Sequence, residues 1–207
     1  MAYDTLTVAT AAAIIAAGSW LITLYNARKA VHWKRAELAS AYLKDLTANP
    51  VLVFACRALE WNGGRLVVPE PLRPLLFEKS DYIQHSPEVL KRAMVPGLTL
   101  EEMDAEPRLQ LYRTSMDDLL SWLDLIASGL NRKLFKPEDL PKVGYWVEQI
   151  RKVGYLDEFI RKFGYSDSIE ILRRAFASFC EDHRDGRALT IERGGFGSSA
   201  KGRSAGG

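Results

Sequence analysis

Apolar residues recur in a three-four alternation at Leu109, Tyr112, Met116, Leu119, Leu123, Ile126 and Leu130. That spacing keeps one face of an α-helix apolar, because residues three and four apart lie above one another. Leu111, Leu120, Trp122 and Leu125 widen the stripe. The pattern predicts the central, most buried helix, opened by Pro107. So broad an arc favours an intramolecular bundle over a two-stranded coiled coil, whose seam is narrower. Shorter periodic stretches flank it. Asn49-Pro50 reads as cap and first position of a helix over Val51–Trp61, stopped by Asn62-Gly63-Gly64. Ser86-Pro87-Glu88 opens a short helix that ends before Pro96-Gly97, and Thr99-Leu-Glu-Glu102 has capping-box spacing. Lys136-Pro-Glu-Asp139 starts a helix with Leu140, Val143, Val147 and Ile150 on its apolar face. Leu156, Phe159, Ile160 and Phe163 predict another. Asp167 to Glu170 opens the last, lined by Ile169, Leu172, Phe176 and Phe179. Arg65 to Val68 reads as a strand, half of a hairpin turning across Asn62-Gly63. Pro69, Pro71 and Pro74 predict an irregular stretch after it.

Thr5 to Ala27 carries no charged side chain, and its apolar part runs from Leu6 to Tyr25. About 20 helical residues span ~30 Å, the thickness of a bilayer's hydrocarbon core. The stretch therefore predicts a transmembrane anchor, with Trp20 and Tyr25 at the membrane interface. A cleaved signal peptide would need a positive start and a shorter apolar run, and a soluble helix would rarely stay uncharged so long. Arg28, Lys29, Lys34 and Arg35 follow at once. They predict contact with lipid head groups and a cytoplasmic C-terminal side, leaving the N-terminus outside. Ala9, Ala13 and Ala17 repeat every four residues, a small-residue stripe suited to helix association in the membrane. From Asn26 to Thr47 there is neither Pro nor Gly, and Leu24, Val31, Leu38 and Tyr42 share a side. The anchor is thus expected to run on into a basic helical stalk. The fold expected is all-α: one N-terminal transmembrane helix followed by a cytosolic helical bundle with a small β-hairpin. Its divisions are an anchor over 1–27, a stalk over 28–48, a bundle over 49–183 and a Gly/Ser/Arg-rich tail over 184–207.

Composition and charge sharpen this picture. With 207 residues, 47% hydrophobic and 26% charged, the chain can bury a real core, which excludes a disordered protein for most of its length. The net charge of +2 is uneven: residues 26–47 and the tail from 184 each carry +3, around a mildly acidic middle. Charge set at two ends around an acidic middle argues against a continuous nucleic-acid surface. Two cysteines exclude a disulfide scaffold, and three histidines are few for a metal site. Cys180 and His183 have a CxxH spacing, but Cys56, His32 and His85, which would complete a zinc site, are scattered.

Other motifs bear on chemistry without defining a site. No phosphate-binding glycine loop, dinucleotide fingerprint or nucleophile elbow occurs. The pairs Glu101-Glu102, Asp117-Asp118 and Glu181-Asp182 point about 100° apart on a helix and cannot converge alone. Arg113 stands four before Asp117, a spacing that predicts an ion pair. Three Lys-x-Gly-Tyr copies start at Lys142, Lys152 and Lys162, and the last two read as helix–turn punctuation.

Asp117 through Arg132, Asp139-Leu140, Tyr145-Trp146 and Arg57 through Trp61 together resemble a group of bacterial single-pass membrane proteins of unknown function. The resemblance covers about residues 5–175. It implies a cytosolic helical domain, a place in the inner membrane and, for some members, a part in phage defence; it implies no catalytic residue. The function expected is a non-catalytic inner-membrane protein whose helical domain binds a protein partner or itself, possibly as a defence effector. An accessory subunit of a larger membrane complex and an enzyme with a site assembled in the bundle are the alternatives. No cofactor, small-molecule substrate or specific nucleic acid is indicated. Membrane lipid, a second copy and a membrane protein are the partners expected.

Overall fold

The computed structural model describes residues 2–76 and 80–177, with residues 2–14 as backbone only. It is mostly helical, with one small sheet. Helix α1 (Ala2–Ala48) is continuous, so the predicted anchor and stalk are one element. It ends just before Asn49, whose side chain accepts the Val51 N–H at 3.0 Å and caps α2 (Pro50–Glu60). Pro50 at the first helical position costs nothing, because that N–H would have no helical partner. Six residues of α2 are buried, Phe54, Ala55 and Cys56 among them.

Strand β1 (Gly64–Val67) pairs antiparallel with β2 (Tyr82–His85), Leu66 opposite Ile83. The hairpin predicted across Asn62-Gly63 is therefore corrected. The residues before Asn62 belong to α2, so no strand exists on that side for a tight turn to join. Gly63 and Gly64, at φ of 153° and 112°, instead swing the chain from helix into strand. The partner strand arrives only after a 3-10 turn over Glu70–Leu75, where an irregular stretch was expected. Arg73 braces that turn, pairing with Asp81 at 3.0 Å.

Helix α3 (Pro87–Ala93) is capped by Ser86. Helix α4 (Leu100–Ala105) carries the complete Thr99–Glu102 capping box, and the Thr99 backbone N–H and hydroxyl hold the Glu102 carboxyl below its ordinary range. Helix α5 (Pro107–Asn131) is the centre of the body. Leu109, Leu111, Tyr112, Leu119, Leu123 and Ile126 are fully shielded from solvent. Around it lie α2, α3, α4 and α8 (Ser166–Ala175). Helix α6 (Pro141–Lys152) follows a 3-10 turn at Pro137–Asp139, and α7 (Leu156–Lys162) links it to α8. The punctuation expected of the last two Lys-x-Gly-Tyr copies is present. Lys152 and Lys162 end α6 and α7, while Tyr155 and Tyr165 stand just before α7 and α8. Gly164 takes a φ of +82°, a conformation that a Cβ resists.

The membrane anchor and the single-pass, inner-membrane location are not supported. Among the described residues, no helix is long and apolar enough to cross a membrane. Within α1, Ser19, Thr23 and Asn26 place polar side chains in the uncharged run; the two hydroxyls turn back to donate to the Ile15 and Ser19 carbonyls.

Candidate functional site

Three settings hold the polar and exposed groups most capable of function. The first is α1. Its C-terminal turns are fastened to the body by Leu38, Ala39, Tyr42, Leu43 and Leu46, with Tyr42 edge-on to Phe135 at 5.5 Å between ring centres. From Ile15 to Lys34 no side chain is buried. Ile15, Trp20, Leu21, Ile22, Tyr25, Val31 and Trp33 are each more than half exposed. Of the predicted association stripe, Ala17 is exposed, while the side chains of Ala9 and Ala13 lie outside the described residues. Arg28, Lys29 and Lys34 are exposed on α1, and Arg35 is partly buried.

The second setting is a groove of about 370 Å³ where α1 meets the end of α5 and of α8. Leu130, Phe135, Ile171 and Ala175 line it with apolar surface, and Arg35, Lys133 and Lys136 supply charge. Its shape follows from how α5 stops. Lys133 N–H donates to the Leu130 carbonyl and Leu134 N–H to the Gly129 carbonyl, both at 2.9 Å. This is the paired closure that normally places glycine in the left-handed position. Here Lys133 occupies it, at φ of 58°. The reversal folds Phe135 back onto α5, against Gly129, where any Cβ would collide with the ring.

The third setting is a set of polar joints between elements, buried at His85 and Tyr112 and part-buried or exposed elsewhere. His85 donates through Nε2 to the Trp61 carbonyl at 2.9 Å, since a carbonyl only accepts. Its Nδ1 is then the acceptor, and the Tyr112 hydroxyl donates to it at 2.7 Å. One imidazole thus ties the end of α2, β2 and the middle of α5. Burial lowers the His85 pKa and pushes the Tyr112 phenol up to about 12, so both stay neutral near pH 7. On the other side of α5, Tyr165 donates to Asp117 at 2.8 Å and accepts from Ser121 at 2.8 Å, while Ser168 donates to Asp124. Burial first and the Asp117 carboxylate next hold Asp118 above the ordinary carboxylate range. Tyr145 donates to Glu60 at 2.6 Å.

Two readings of the sequence change here. The predicted Arg113–Asp117 ion pair is replaced: Arg113 donates to the Ala93 and Val95 carbonyls at 3.3 and 3.0 Å and lies over the Phe159 and Phe163 rings. Ala93 ends α3, so its carbonyl lacks a helical donor, and the guanidinium supplies one while also reaching Val95 beyond the helix. Asp117 turns to Tyr165 instead. Cys56 is buried, and burial, with Glu60 beside it, raises its thiol to about 12; a thiol so rarely ionised is a poor nucleophile. Among the described residues, no group of three or more His, Cys, Asp or Glu is placed to hold a metal ion. Cys180, His183, Glu181-Asp182 and the tail over 184–207 lie outside the described residues.

The groove and the joints were hidden from sequence reasoning. Arg35, Phe135 and Ile171 are about a hundred residues or less apart in steps that no local pattern connects. The usable signal was a lysine where the end of a long helix calls for glycine. No protein-family model, curated protein or solved structure matches the chain.

Proposed function

We propose that this is a non-catalytic interaction protein that associates with a second copy of itself through α1. The observation that carries the reading is the exposed apolar run between Ile15 and Trp33 on a helix whose base alone is fastened. Helices in water draw most of their stability from packing an apolar face, and among the described residues nothing buries this stretch. Ala17, Leu24 and Val31 recur every seven residues, with Trp20 and Ala27 three positions after the first two. Such spacing places a seam along one side, which a second copy of the same helix would cover.

The test is mass by light scattering and sedimentation over a range of concentrations. The full chain runs as a dimer or larger species, and Trp20→Glu with Val31→Glu shifts it to monomer while circular dichroism of the body is unchanged. A chain monomeric at every concentration, or an oligomer indifferent to both substitutions, sinks the reading.

A further inference from the structure

The groove beneath α1 carries a second recognition function, independent of how α1 itself associates. We propose that it docks an acidic, apolar-anchored segment of a protein partner. Charge and shape choose that occupant. Arg35 comes from α1, Lys133 and Lys136 from the reversal after α5, and no Asp or Glu lines the groove. The nearest acid in sequence to Lys136 that is tied down, Asp139, is already accepting the Lys136 backbone N–H at 2.9 Å. Among the described residues, the cations therefore surround an apolar floor with no carboxylate lining it. None of the three has an ion pair among the described contacts. An apolar side chain set among Glu or Asp residues satisfies both parts, burying on Leu130 and Ile171 while its neighbours meet the rim.

Two structural details add to this. Lys133 keeps a left-handed conformation that is strained for a residue with a Cβ. The negative end of the α5 dipole explains a cation nearby, but a lysine one position earlier would serve it without strain. A nucleic acid fits less well. Single strands bind by stacking bases on exposed rings, and Phe135, the ring in the groove, is buried edge-on against Tyr42.

Fluorescence anisotropy tests the proposal on the full chain. The probes are a labelled peptide with Leu and Phe among Glu residues, the same peptide with Gln for Glu, and labelled oligothymidylate. The Glu peptide binds about tenfold more tightly than the Gln peptide, the equivalent of one well-placed charge contact. Arg35→Glu and Lys136→Glu each weaken the Glu peptide about tenfold or more, while Lys91→Glu, on exposed α3, leaves it unchanged. Lys133→Gly separates stability from binding: it raises Tm by about 2–4 °C as strain is relieved, yet weakens the Glu peptide severalfold. Equal binding of the Glu and Gln peptides overturns the proposal. So does indifference to the Arg35 and Lys136 reversals in a folded protein, or tighter binding of oligothymidylate than of the Glu peptide.

Discussion

Helices α1 and α5 are the two longest elements, both rich in Leu, Ile and Trp, and they end in opposite surroundings. Helix α5 buries twelve of its 25 residues; α1, over its described side chains, buries only Ala39 and Leu46. The difference lies in arrangement more than in apolar content. Helix α5 alternates its apolar positions in threes and fours, and helices from both sides of the sequence close over the resulting arc. Beyond one narrow seam, the apolar residues of α1 from Ile15 to Trp33 are scattered around the helix and broken by Ser19, Thr23 and Asn26. Among the described residues, no other element presents a face to them. A helix is buried by the match between its stripe and its neighbours' stripes.

If that contrast is sound, the heaviest loss comes from the α5 stripe. Leu123→Ala removes about 2–5 kcal/mol from the unfolding free energy, read by denaturant titration, because Leu123 is wholly enclosed and the cavity cannot fully collapse. Tyr112→Phe is next. It leaves His85 Nδ1 buried without its donor and costs about 1–3 kcal/mol in the same titration. The pH dependence sharpens the point. His85 has a folded pKa below its ordinary 6.5, so the unfolded chain binds its proton first as pH falls. Its contribution to stability is complete above about pH 6.5 and is lost as pH drops from there through the folded value. His85→Gln flattens that part of a stability–pH profile. The smallest effect belongs to α1: Leu21→Ala changes unfolding of the body by less than about 0.5 kcal/mol, the ordinary range for an exposed site. A loss there as large as that of Leu123→Ala would erase the contrast between the two helices.

What the sequence made legible was local. The Asn49 cap, the Thr99–Glu102 box, the opening of α5 at Pro107 and the Lys-x-Gly-Tyr joints each depend on residues within one or two turns. The β1–β2 pairing was misplaced because its strands are separated by a 3-10 turn that only the tertiary fold positions. Arg113 was misassigned because helical spacing offered Asp117, whereas the carbonyls of Ala93 and Val95 and the rings of α7 and its edge made a better cradle. The N-terminal reading rested on absence of charge, whereas among the described residues no helix is long and apolar enough to cross a membrane. The candidate groove depends on α1, α5 and α8 meeting at one corner, and no window of sequence contains all three.

The unbroken course of α1 from Ala2 to Ala48 has a mechanical consequence. A helix is stiff along its axis, and this one is clamped at a single end, by the turns that also carry Arg35. It therefore acts as a lever. Over the exposed stretch from Ile15 to Lys34, ~30 Å at 1.5 Å per residue, a tilt of about 5° at the clamp moves the far end by about 3 Å. Whatever fills the corner beside Arg35 sits at the fulcrum, and whatever holds the tip works with the long arm.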